Sequence, residues 1–173
     1  MGNIKLGNLE VPLGSILVFV GAVVALISLF LGYVNFDYTI LEDVTYSGME
    51  VVTGWNDNIE LSFVHFAPII VAIAALIGMI MVIIPLFAKL KVDAKIYNII
   101  VAVVMAVAVI FAIVFIAMGA GSGLFAGEWA EEYKFMIETS KNLTMSLGVG
   151  AYLGLIGAIV GLVGAGLNVK ENL

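Results

Sequence analysis

Ile96–Met118, IYNIIVAVVMAVAVIFAIVFIAM, decides the fold: no Asp, Glu, Lys or Arg interrupts it. At about 1.5 Å rise per residue, about 20 helical residues cover the ~30 Å hydrocarbon core of a bilayer, and lipid admits a segment only when its backbone hydrogen bonds close internally. This stretch therefore reads as a membrane-crossing helix. Working outward, three more uncharged apolar stretches occur at Phe66–Ala88, Leu143–Leu167 and Leu13–Val34. The expected fold is a single all-α membrane domain over residues 1–173, a left-handed bundle of four transmembrane helices at about 13–34, 66–88, 96–118 and 143–167. Outer loops then cover 35–65 and 119–142, and an inner loop covers 89–95.

Composition agrees, because a hydrophobic content of 63% and a mean hydropathy of +1.19 exceed what a soluble domain of this size carries. Met1–Pro12 contains one Lys and is followed by no signal-peptide cleavage pattern, so the first apolar segment is expected to stay as an anchor. Cysteine is absent, which removes disulfides, thiolate metal sites and cysteine nucleophiles. All seven basic residues are lysines, read as the coding bias of a bacterial or archaeal source, and without arginine there is no bidentate clamp for phosphate or carboxylate.

Charge orients the bundle. One face holds Lys5, Lys89, Lys91, Lys95 and Lys170 against Glu10, Asp93 and Glu171, a net +2; the other holds ten acids against Lys134 and Lys141, a net −8, together the −6 of the whole chain. By the positive-inside rule the termini and the 89–95 loop lie in the cytoplasm, with the protein in the plasma membrane. A strongly acidic outer face excludes nucleic acid as a partner and favours cations over anions.

The loops carry their own patterns. Phe36, Tyr38 and Ile40 alternate with Asp37 and Thr39, and Val44 and Tyr46 flank Thr45, a period of two that predicts a small sheet or hairpin on the outer end. Gly48, Gly54-Trp55 and Asn56-Asp57-Asn58 punctuate it as turns, with Trp55 anchoring the loop to the membrane surface. In the second loop, Gly119–Gly123 reads as a hinge, and Trp129, Tyr133, Met136 and Ile137 share one face of an amphipathic helix within Glu128–Lys141. Asn142-Leu143-Thr144 matches the N-glycosylation pattern. Prolines sit at span edges: Pro12 and Pro68 suit helix starts, and Pro85 is expected to end or bend the second helix before Lys89.

The most regular pattern is Gly150, Gly154, Gly157, Gly161 and Gly164, spaced 4, 3, 4, 3 along one helix face. Gly14, Gly21, Ala25, Ser28 and Gly32 offer a complementary stripe on the first span. In lipid such stripes associate helices by letting backbones approach. Two uses follow: packing the first helix on the fourth within one chain, or joining copies. Gly148 and Gly166 lie off this face and could form a second contact with another subunit. His65, the only histidine, stands at the outer boundary as an interfacial hydrogen-bonding residue. No nucleophile, base and orienting group lie together, and no carboxylate occupies a span, so no catalytic, cofactor-binding or metal-ligating residue is assigned.

Four spans, inside termini, a strand-forming first outer loop with Gly54-Trp55 and a helical second loop resemble the claudin and peripheral-myelin-protein tetraspan layout. The claudin pattern is Gly-Leu-Trp followed by paired cysteines, whereas this chain has Thr53-Gly54-Trp55 and no cysteine, so no junctional or pore function is implied. Ser47-Gly48-Met49-Glu50-Val51-Val52-Thr53-Gly54 is similar to loops in small prokaryotic four-span proteins. The expected function is that of a non-enzymatic structural membrane protein that self-associates or scaffolds partners, with the bilayer and other membrane subunits as its contacts. The alternatives are an accessory subunit of a larger complex and a small cation channel.

Overall fold

The structure, a computed structural model, describes residues 3–6, 9–38, 42–54, 62–88, 92–119, 135, 139 and 143–171. Strands β1 (Asn3–Leu6) and β2 (Leu9–Pro12) form an antiparallel hairpin that leads into helix α1 (Leu13–Ser28). Strands β3 (Gly32–Tyr38) and β4 (Val44–Ser47) precede a short helix α2 (Gly48–Thr53). A 3₁₀ turn at Phe63–Phe66 opens α3 (Ala67–Phe87); α4 (Ala94–Met118), β5 (Leu143–Leu147) and α5 (Val149–Glu171) complete the chain. Helices α1, α3, α4 and α5 pack in a ring in which each touches two neighbours extensively.

Three helices are long and apolar enough to cross a membrane: Phe63–Phe87, Ala94–Met118 and Val149–Glu171. The expected second and third spans agree with them to within a few residues. The third starts two residues early because the Asp93 carboxylate accepts hydrogen bonds from the N–H groups of Lys95 (2.9 Å) and Ile96 (3.2 Å) and caps the helix there. Pro85 lies inside α3, which runs on to Phe87 and stops at the extended Ala88, before Lys89.

The first and last spans are corrected. Helix α1 has 16 residues, about 24 Å, and ends at Ser28 instead of Val34. Beyond it Leu29–Leu31 form a turn and Gly32–Tyr38 is a strand, so the last three residues of the expected span, Gly32–Val34, belong to the sheet. Leu143–Leu147 is likewise strand β5 and not the first turn and a half of the last helix. Both segments are apolar because one face of each lies on the bundle end, and hydropathy alone does not separate a buried strand from a helix.

The sheet order is β4-β3-β5, all antiparallel. Period-two alternation places Val34 and Phe36 inward with Tyr46, Met145 and Leu147, over a core that includes Val51, Val64, Ala67 and Phe115. On the other face, Asn35 pairs with Thr45 and Ser146, and Thr45 Oγ1 donates to Asn35 Oδ1 at 3.0 Å. A register shift between Gly32 and Val34 inserts Tyr33 as an extra residue. That bulge lets two consecutive residues, Tyr33 and Val34, both point into the core, which regular alternation forbids.

The expected turn at Gly48 is instead the first residue of α2, and Ser47 with Glu50 forms a capping box. Ser47 N–H (2.7 Å) and Oγ–H (2.8 Å) donate to Glu50 Oε2, while Glu50 N–H donates to Ser47 Oγ (3.3 Å). Those bonds hold the exposed Glu50 carboxyl below its ordinary pKa. A depressed carboxylate pKa contributes stability above its unfolded value, near 4.5, that is lost as pH falls through the folded value. We expect the helical carbon-13 shifts of Gly48–Thr53 to decay below that pH and the Glu50→Gln variant to lose the titration. The contribution is under about 1 kcal/mol because water screens the pair. An unchanged pH profile in Glu50→Gln counts against the cap.

Of the expected amphipathic helix within Glu128–Lys141, only Phe135 and Thr139 are described; both are helical, joined by a bond from Thr139 Oγ1 to Phe135 O. Trp55, Trp129, Tyr133 and Asn142 lie outside the described residues.

Candidate functional site

The glycine stripes face each other within one chain. A methyl on Gly21 would lie 2.5 Å from the carbonyl oxygen of Gly157 and from the nitrogen of Gly161; one on Gly157 would lie 2.6 Å from Gly21 O and Ala25 N; one on Gly164 would lie 2.5 Å from Gly14 O. Cβ atoms do not approach other atoms that closely, so α1 and α5 are in backbone contact along most of α1. Ala22, Ala25 and Ala158 continue this close packing at zero exposure. Gly32 lies beyond the helix, in β3 against Thr45 Cγ2, and its carbonyl oxygen is 2.9 Å from where a methyl on Gly150 would lie. Gly148 packs on Gly32 in the same chain, and Gly166 has open space around it.

Met105 of α4 fills the middle. Its side chain reaches between Gly78 of α3 and Gly161 of α5 and is fully buried. An unbranched thioether suits that slot, since two glycines leave an irregular gap. Val18, Val82, Val101 and Ala165 close around it.

At the sheet end the stripe serves a different purpose. Gly150 and Gly154 of α5, with Gly48 of α2, leave room for the Tyr33 side chain: a Cβ at Gly150 or Gly48 would meet its ring, and one at Gly154 its hydroxyl, within 3.0 Å. Tyr33 packs edge-on against Phe115, centroids 5.1 Å apart, and its hydroxyl hydrogen-bonds Ser28 Oγ at 3.0 Å. Ser28 Oγ donates in turn to Ala25 O at 2.7 Å. The carbonyl of Tyr33 accepts from Gly148 N–H at 2.8 Å. One tyrosine thus ties the sheet to α1, α4 and α5.

At the opposite end, four helix ends line a partly open chamber of about 150 Å³ in which polar side chains stand among apolar ones. Asn168, buried and four residues past Gly164, extends the glycine spacing, and its Nδ2 donates to Ser15 Oγ at 3.1 Å. Asn98 Nδ2 donates to Asn168 O at 3.4 Å. Pro85 has no N–H, which leaves the Met81 carbonyl four residues earlier without its helical donor. The Tyr97 hydroxyl of α4 supplies it at 2.7 Å. In lipid a proline inside a helix is tolerated when a neighbour satisfies the freed carbonyl in this way. We expect Tyr97→Phe to cost about 1–3 kcal/mol with Pro85 present and much less in Pro85→Ala, where the N–H is restored. A double-mutant cycle read by detergent unfolding checks this; additive costs count against it.

His65 is fully buried within the chain, and its Nδ1 accepts from Ser62 N–H at 3.0 Å, closing the 3₁₀ turn. The neighbouring Phe63 and Phe66 are the exposed residues there. Ser146, within the fourth apolar stretch, is an exposed residue of β5.

Sequence reading missed three of these groups. The Ser47-x-x-Glu50 spacing was a legible cap signal, Asn168 continued the 4, 3 spacing of the glycines, and a tyrosine partner for Pro85 had no local signal.

The apolar helices, with the small sheet at one end, define a membrane-embedded, mainly helical protein. A scan against family models gives no match, and a search of curated proteins gives none either, so neither supports the claudin resemblance or any other family.

Proposed function

We propose that the chain is a non-enzymatic structural membrane protein, a four-crossing left-handed bundle that self-associates or scaffolds partners, with both termini in the cytoplasm of a plasma-membrane protein. The observation that carries this reading is the rigid mount of the sheet: backbone contact joins α1 to α5, and Tyr33 fastens the sheet to their outer ends. A fixed platform outside the bilayer is what a scaffold needs.

Helix α1 acts as the fourth crossing in this reading. Its start at Gly14 lies against Gly164 and Asn168, and its end at Ser28 lies against Gly150 and Gly154, so it runs beside α5 through most of that helix's length. Hairpin β1–β2 before it and the turn Leu29–Leu31 after it extend the reach beyond 24 Å. Among the described residues, Asp37, Glu42, Asp43 and Glu50 stand at the sheet end without a lysine, while Lys5, Lys95 and Lys170 all stand at the other, beside Glu10, Asp93 and Glu171. That asymmetry supports the orientation.

With the glycine stripes occupied inside the chain, contacts between copies fall to the lipid-facing helices and the sheet. Single cysteines test this without background, since the chain has none. A cysteine at Asp43 is expected to react with an impermeant reagent on intact cells and one at Lys95 only after permeabilisation; the reverse pattern sinks the orientation. Capture of an untagged copy by a co-expressed tagged one supports self-association. Recovery as a lone monomer sinks it, and a constant second protein favours the accessory-subunit reading. The bundle axis is closed by Met105, Val18 and the alanines around them, so a cation path would have to run between copies.

A further inference from the structure

The chamber is not isolated. Across Val82 and Leu86 it adjoins an open groove of about 550 Å³ between α1 and α3, under the β1–β2 hairpin, and Ser15 lines both spaces. Apart from Ser15 the groove walls are apolar, with Ile4, Phe19, Ile83 and Phe87 among them. A groove with hydrocarbon walls at the end of a membrane helix takes a hydrocarbon chain. A general solvating lipid needs nothing more, but this groove ends on hydrogen-bonding groups.

The chamber's chemistry selects a headgroup. Two of its donors, Asn168 Nδ2 and the Tyr97 hydroxyl, are already directed at Ser15 Oγ and Met81 O. The last carbonyls of α5, which ends at this wall, present the negative end of its dipole. None of the described lining residues is cationic. The space offers acceptors and negative potential, which disfavour an anionic headgroup and suit a donor. Its volume holds several water-sized groups, at about 10–15 Å³ of such space for each.

We propose that groove and chamber form one binding site for a single membrane lipid with an uncharged, hydroxyl-bearing headgroup, its tail lying between α1 and α3 and its hydroxyls in the chamber. The lipid wedges the hairpin end of the bundle, where α1 and α3 are held apart by the groove. It also accounts for an asparagine and a serine placed at the inner end of an otherwise apolar seam.

Three probes share one tail and differ in the head: 1-monooleoylglycerol, which is neutral and donates; methyl oleate, neutral without a donor; and oleate, an anion. With the full chain in detergent, native mass spectrometry is expected to show one 1-monooleoylglycerol bound, about tenfold more tightly than either other probe. Ile83→Trp, which fills the groove, abolishes binding. Asn98→Leu lowers 1-monooleoylglycerol to the affinity of methyl oleate. Val163→Trp, on an exposed face of α5, leaves binding unchanged. Equal affinity for the three probes, or undiminished binding by Ile83→Trp, overturns the proposal. Should Ile83→Trp not fold, a monoacylglycerol carrying a photoreactive tail decides on the unmodified protein: labelling within 16–19 and 82–87 supports the site, and labelling spread over other helix faces overturns it.

Discussion

Replacing Gly157 by leucine is expected to open the α1–α5 seam and destabilise the bundle by about 3 kcal/mol or more. A side chain there meets Gly21 O and the backbone nitrogen of Ala25, and neither can swing aside. The helices have to separate along their length, and lipid supplies no hydrophobic drive to bring them back. Gly161→Ala provides the contrast. Its new methyl meets the end of the Met105 side chain, which can rotate away, so the cost is below about 1 kcal/mol. Unfolding by sodium dodecyl sulfate, followed by circular dichroism, ranks the two. Equal losses in both variants would show that the seam is not a backbone contact.

Truncating Tyr33 to alanine is expected to cost about 3–5 kcal/mol, the range for emptying a large buried aromatic site. The ring is 3% exposed, and glycines on three sides leave nothing that could collapse into the space. The loss falls on the junction between sheet and bundle, so amide exchange is expected to rise in β3, β5 and the first turns of α5 while Met105 and its surroundings stay protected. Tyr33→Phe removes one hydrogen bond and leaves Ser28 Oγ bonded to Ala25 O, at a cost of about 1 kcal/mol. Burial raises the Tyr33 pKa above 10.0, with the Ser28 bond opposing in part. A raised pKa means stability that is complete below the unfolded value and lost as pH climbs through the folded one. The junction of the native protein is therefore expected to loosen above about pH 10, and that alkaline step is expected to be absent in Tyr33→Phe.

Legibility followed the range of the physical cause. The second and third spans could be read almost to the residue, because absence of charge over twenty-odd positions has one explanation in lipid. The alternation from Phe36 to Tyr38 identified β3 for the same reason: a period of two is local. The ends of the first and fourth spans could not be read, since Gly32–Tyr38 and Leu143–Leu147 pair with each other across 105 or more residues and are apolar where they cover the bundle end, and hydropathy records burial without recording its partner. Stripe membership shows both cases. Gly14, Gly21, Ala25 and Ser28 keep the spacing and lie on α5, whereas Gly32 keeps the spacing but lies beyond the helix.

The sequence by itself determined the solvent, the long helices and the existence of a small-residue face, because charge, length and spacing act within one segment. Only the tertiary structure decided which helix that face meets, that Tyr33 sits in a bulge among three glycines, and that Tyr97 completes the carbonyl freed by Pro85. Those outcomes depend on which backbones come within contact distance, and that distance is set by the whole packed ring of helices, not by any segment alone.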